Sequence, residues 1–164
     1  MRAFAITGPG AGAVGEVPEP QAGPGQVVAE VLRAGVCGTD VELFTGTMPY
    51  LHDGSSSYPL RIGHEWCGRV REVGRGVDPG WLGALVTGDT MVGCGRCDRC
   101  RAGRHHVCAD RLELGVRDGL PGALAERVGV PAVSLRRLPD DLEPEAGALV
   151  EPAGSALRAV RAAR

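Results

Sequence analysis

The 164-residue chain contains no lysine; all 18 of its basic side chains are arginine. That absence excludes a Schiff-base lysine, a Walker lysine and any lysine general base, and with them whole reaction classes. Aromatic residues are scarce too, with two each of Trp, Tyr and Phe. No apolar run is long enough to cross a membrane, and the opening MRAFAIT breaks into Gly and Pro, so it reads as neither a secretory leader nor a span. A net charge of -2 leaves no basic field for nucleic acid. The chain is therefore expected to be cytoplasmic, with no membrane or nucleic-acid partner. The arginine, alanine and glycine bias also fits GC-rich coding sequence, so a single arginine says little about function.

With 43% hydrophobic residues the chain can bury one main core without disulfides. Its 26 glycines and 12 prolines cut it into short segments. Candidate strands cover 1–7, 26–36, 66–74, 84–93, 122–131 and 133–138, and in 26–36 and 66–74 apolar and polar positions roughly alternate, the period of a half-buried strand. Helical signals are confined to 41–46 and the C-terminal run 143–164, where apolar residues recur at helical spacing from Ala146 to Val160 and Pro152 marks a break or restart. The stretch 50–59 reads as loop. The fold class is mainly β and barrel-like. Gly10, Gly12 and Gly15 match G-x-G-x-x-G after a candidate strand, but the following EVPEPQAGPGQ cannot begin the helix that would receive a pyrophosphate, so this is a glycine-rich hairpin loop.

Four cysteines, Cys94, Cys97, Cys100 and Cys108, fall in GCGRCDRCRAGRHHVC with spacing C-x2-C-x2-C-x7-C. One turn-rich lobe, residues 93–109, can bring four such thiolates to tetrahedral corners, as a closed structural zinc site requires. Pairwise disulfides are the alternative; three thiols within seven residues are awkward to bridge. Arg96, Arg99, Arg101 and Arg104 either offset the negative charge of a four-thiolate centre or are simply solvated.

A second set of candidate ligands is dispersed. Cys37 follows a strand in GVCGTD, His64 and Glu65 follow Gly63 in RIGHEW, and Glu151 lies near the C-terminus. Cys, His and carboxylate together suit zinc, and three protein ligands leave a fourth position open. Singly, each reads as core packing or surface. Asp40 could orient the His64 ring from behind. Cys67 is expected in an interior strand, although its side could also bring it beside Glu65; His52, His105 and His106 are expected at the surface without partners.

GVCGTD, GHEWCGRV, the cysteine run and ALVEPAGSALRAV occur in the order seen in medium-chain, zinc-dependent alcohol and polyol dehydrogenases, and the chain resembles that family over its whole length. The resemblance implies a GroES-like, partly open β-barrel over 1–148 that includes the structural zinc lobe 93–109. Residues 149–164 would begin the helix leading towards a Rossmann domain. It further implies a catalytic zinc at Cys37, His64 and Glu65. Glu151 matches the position where polyol, glucose and threonine dehydrogenase-like members carry a glutamate and ordinary alcohol dehydrogenases carry a further sulfur ligand, which favours the sugar and polyol branch.

The resemblance also implies an activity: oxidation of a secondary alcohol of a polyol or sugar, with hydride passing to NAD or NADP. Zinc with the Cys37 thiolate and Glu65 carboxylate has formal charge zero, so a bound alcohol can ionise readily. Thr39 would accept the alcohol proton. Glu42 stands where many relatives end the proton relay with a histidine. The nicotinamide-binding half of such relatives is absent from these 164 residues, so the chain alone is expected to be inactive and to expose an apolar face around Leu149, Ala156 and Val160 for another copy or a partner chain. A non-catalytic, zinc-stabilised binding or scaffold module is the competing reading.

Overall fold

A computed structural model describes every residue except Asp118 and Arg164. Strand β1 (Arg2–Gly8) turns at Gly10 and runs back as β2 (Ala11–Glu16), with Arg2 opposite Glu16 and Gly8 opposite Ala11. The G-x-G-x-x-G stretch thus lies in a hairpin. The hairpin is fastened to the rest of the molecule through β1, where Phe4 N donates to Leu124 O at 2.8 Å and Ile6 N to Leu60 O at 2.8 Å.

The main sheet is five-stranded and antiparallel. Its strands β3 (Gln26–Ala34), β4 (Trp66–Val73), β5 (Leu85–Gly88), β8 (Arg127–Pro131) and β9 (Leu135–Arg137) lie in the order β8-β3-β4-β5-β9. Register shifts between Val28 and Ala29 and between Val31 and Arg33 interrupt the β3–β4 ladder, and such bulges bend and twist a sheet towards a barrel. Two further short strands, β6 (Met91–Val92) and β7 (Leu112–Glu113), pair beside the cysteine lobe. Helices are short: α1 (Gly38–Thr45), α2 (Pro49–His52), α3 (Asp98–Arg101), α4 (Pro144–Ala148) and the longer α5 (Val150–Ala162). The mainly β reading stands.

The main core gathers Val27, Ala29, Trp66, Val70, Val86, Val128 and Val130 around the sheet. Trp66 is fully buried, and burial of an aromatic side chain of this size dominates a small core. Trp66→Ala is expected to cost about 3–5 kcal/mol, the usual range for deleting a buried aromatic, read as a lower denaturant midpoint with an unchanged slope. A loss below about 1 kcal/mol would show that the site collapses without penalty. A second cluster of Ile6, Leu43, Leu60 and Ile62 packs α1 against the hairpin. Cys67 is also fully buried, packed with Leu85, Leu138 and Ala148, and burial pushes its thiol pKa up. Both findings fit an interior cysteine.

Several elements differ from expectation. The glycine-rich return strand β2 and the two-residue β7 carry no alternation to reveal them, and the supposed loop 50–59 opens inside helix α2, which begins with Pro49 in its first turn. Segment 84–93 divides into β5 and β6, leaving Asp89 and Thr90 between them. The C-terminal helix restarts at Leu149 rather than at Pro152, because proline in a first turn forfeits no intrahelical hydrogen bond. No described residue of α5 is buried; Leu149, Leu157 and Val160 are 60%, 50% and 55% exposed.

Candidate metal centres

In the lobe, Cys94, Cys97, Cys100 and Cys108 direct their sulfurs to one point, all within 4.8 Å of one another. Cys94 and Cys100 sulfurs are 4.0 Å apart, and Cys97 and Cys108 sulfurs 3.8 Å. The edge of a tetrahedron of thiolates about 2.3 Å from zinc is about 3.8 Å, so the donor set fits that ion. The Cys94 thiol is lowered to about 6, chiefly by the backbone N–H groups of Arg96 and Cys97 aimed at its sulfur. Cys100 is pushed up to about 12, first by desolvation and then by the neighbouring thiols. Four clustered sulfurs cannot all carry charge unaided; a divalent cation removes that conflict.

Two of the lobe arginines have local tasks. Arg99 Nη1 donates to Val107 O at 2.6 Å, and Arg101 lies 3.7 Å from Asp98. The lobe also forms part of a cleft wall. His105 and His106 line that cleft, and His105 Nε2 lies 3.5 Å from Asp89 Oδ2, a carboxylate that Arg136 also binds. His105 therefore has a partner that its sequence neighbourhood did not suggest, whereas His106 and His52 are exposed as expected.

The second set converges at the floor of the same cleft, whose volume is about 770 Å³. Cys37 caps the N-terminus of α1: its sulfur accepts from Thr39 N at 3.2 Å, while its own N–H donates to Asp40 Oδ2 at 2.9 Å. This reciprocal cap fixes the thiol at the start of the helix. Gly63, with φ +103°, turns the chain so that His64 enters the cleft; a Cβ there would stand 2.7 Å from Leu124 N. Gly35 leaves the space that the Glu65 carboxylate occupies, since a Cβ there would come within 2.3 Å of Glu65 Oε2.

The ligand atoms of Cys37, His64 and Glu65 lie within 4.8 Å of one another. His64 Nε2 is 3.0 Å from Cys37 Sγ. On the far side of the ring, His64 Nδ1 faces Asp40 Oδ1 at 3.7 Å, and both atoms are buried without another hydrogen-bond partner among the described residues. A small ring rotation would pair them and leave Nε2 free for a metal, the usual arrangement behind an imidazole ligand. One sulfur, one nitrogen and one carboxylate therefore fit zinc here as well, with a fourth position left over.

The other candidates fall in different places. Thr39 and Glu151 line the cleft. Glu151 stands outside the three-ligand cluster and accepts a hydrogen bond from Thr90 Oγ1 at 3.2 Å. Glu42 is exposed on α1 and does not line the cleft. Sequence reasoning passed over Tyr50 and Glu113, which do line it; Tyr50 O–H donates to Glu113 Oε1 at 3.4 Å, and Arg111 Nε donates to the same oxygen at 2.7 Å. No local motif marks these residues, which come together only through tertiary packing.

Comparison with known proteins agrees with the geometry. A family model described as the alcohol dehydrogenase GroES-like domain matches residues 23–140. The L-threonine 3-dehydrogenase of Sinorhizobium medicae is 37% identical over 164 residues, covering 96% of this chain and 45% of the relative. A protein of Sinorhizobium meliloti 1021 described as a zinc-binding dehydrogenase, solved bound to NADP, superposes with a TM-score of 0.85 at 35% identity, over 98% of this chain and 44% of its own. Galactitol-1-phosphate dehydrogenase of Escherichia coli gives a TM-score of 0.81 at 29% identity, over 93% and 42%. The chain spans roughly two fifths of the length of the curated relatives it matches, 40% to 45% in the first three. It belongs to the alcohol dehydrogenase GroES-like domain family of medium-chain, zinc-dependent dehydrogenases.

Proposed function

We propose that the chain forms the zinc-binding catalytic half of an NAD(P)-dependent dehydrogenase acting on a secondary alcohol flanked by polar groups, as in a polyol, a sugar or a hydroxyamino acid. The convergence of Cys37, His64 and Glu65 on one cleft, beside a separate four-thiol lobe, carries this reading. Polar residues along the cleft, among them Tyr50, Glu113 and Asp89, suit a substrate with several hydrogen-bonding groups, and relatives are named for L-threonine and galactitol 1-phosphate. Glu151 within LVEPAG supports the same branch.

A zinc ion held by Cys37, His64 and Glu65 would supply Lewis acidity towards the substrate hydroxyl. Thr39, two residues from Cys37 and lining the cleft, would accept the hydroxyl proton. Asp40 holds the Cys37 backbone and, once paired with Nδ1, would also orient the His64 ring, so one buried carboxylate can serve two ligands. Glu42 is exposed on α1 and does not line the cleft, so any part it takes lies at the solvent end of the relay rather than beside the substrate. The nicotinamide would be held by residues beyond barrel 1–148, with α5 as the start of the connection and its exposed apolar side chains against that second half.

Metal analysis tests the reading. The chain should bind two zinc ions, and His64→Ala should lose one while the cysteine lobe stays loaded. Retention of both ions by the variant would remove His64 from the ligand set. A single ion in the unsubstituted chain, confined to the lobe, would instead favour a zinc-stabilised module without catalysis.

A further inference from the structure

Among the described residues, the hydroxyl of Thr90 grips a potential fourth ligand in the cleft without being a ligand itself. Thr90 follows β5 and is held in place by its backbone, whose carbonyl accepts from Leu114 N at 2.9 Å, and Leu114 is a buried core residue. Its Oγ1 donates to Glu151 Oε1 at 3.2 Å. Glu151 lies in the first turn of α5, just beyond Ala148, which is buried with Cys67, Leu85 and Leu138. Thr90 thus stands on a fixed support, and Glu151 stands three residues beyond one. The carboxylate lines the cleft yet lies outside the cluster of Cys37, His64 and Glu65.

We propose that Thr90 is a positioning residue, a latch that holds the Glu151 carboxylate back from the zinc and so keeps the fourth coordination position open to substrate. This rests on the metal reading of Cys37, His64 and Glu65. Four protein ligands make a closed structural site, whereas three with an open position make a catalytic one. A fourth carboxylate within the same cleft therefore needs restraint if the site is to stay open. Threonine supplies it with a neutral donor that satisfies one carboxylate oxygen and has no affinity for zinc.

The test is Thr90→Val, which keeps the shape of the side chain and removes the donor. Zinc release to a chelator should become about fivefold slower from the cleft site, the factor that one ordinary hydrogen bond represents, while release from the lobe stays unchanged as an internal control. In the Co(II)-substituted protein, the visible spectrum of the cleft site should shift as a carboxylate joins the coordination shell. Thr90→Ser should behave as the unsubstituted chain, and Glu151→Gln added to Thr90→Val should restore both the release rate and the spectrum. Release that is unchanged or faster in Thr90→Val, or a slowing that persists with Glu151→Gln, would overturn the latch while leaving the metal centre intact. An unsubstituted chain that binds zinc only in its lobe would overturn both.

Discussion

Removing zinc from the four-cysteine lobe, by chelation or by Cys97→Ser, is expected to unfold residues 93–109 and to lower the melting temperature of the whole chain. The lobe has little else to hold it. Neither α3 nor the turn at His105–Val107 buries a side chain, and within the cysteine run only Cys108 is buried among the described residues. Metal binding of this kind is folding free energy, and in small zinc-dependent peptides it reaches about 10–16 kcal/mol. The barrel core around Trp66 and Val70 lies elsewhere and should keep much of its protection. Hydrogen exchange should therefore show protection lost first in 93–109, then at Asp89, which pairs with His105, and at Arg136, which pairs with Asp89. An unchanged melting temperature and unchanged exchange after complete removal of zinc would refute the structural role.

The 164-residue chain by itself is expected to show no oxidation of alcohols with NAD or NADP, even with zinc in its cleft site. Hydride transfer needs the nicotinamide held against the reacting carbon, and such proximity supplies about 7–11 kcal/mol of an enzymatic rate enhancement. The one G-x-G-x-x-G stretch cannot provide that hold. Gly10, Gly12 and Gly15 lie in the β1–β2 hairpin, with no helix N-terminus following them to receive a pyrophosphate. Sedimentation of the purified chain at high concentration should also reveal self-association through the exposed Leu149, Leu157 and Val160. Turnover with a saturable dependence on NAD or NADP would refute the first expectation, and a strict monomer the second.

Short-range signals made most of the fold legible. Alternation in 26–36 and 66–74 marked the two central strands, because one face of each meets the core formed by Val27, Ala29, Trp66 and Val70. The missing helix start after Gly15 marked the hairpin. What escaped was whatever depended on neighbours distant in sequence. Strand β2 is exposed along its length and owes its form to pairing with β1, so its glycine-rich sequence carries no apolar pattern. The cysteine spacing revealed a metal lobe by itself, since four donors in fifteen residues leave few other uses. Cys37, His64 and Glu65 were individually mute; as residue types they suited zinc together, the family resemblance joined them into one site, and the fold brings them within 4.8 Å. The pairings of Thr90 with Glu151 and of His105 with Asp89 lie outside any motif; each joins residues set side by side by the sheet and the lobe.

The junction at Leu149 gives α5 the mechanics of a lever. Its 13 residues extend about 20 Å from a pivot at the barrel surface, by the usual rise per residue. A rotation of about 10° there would carry the far end through about 3 Å, but it would displace Glu151, in the first turn, by about 1 Å or less. Motion at the tip is thereby scaled down before it reaches the cleft. Whatever packs along the distal half of α5 can swing through a considerable arc without disturbing the carboxylate at its base.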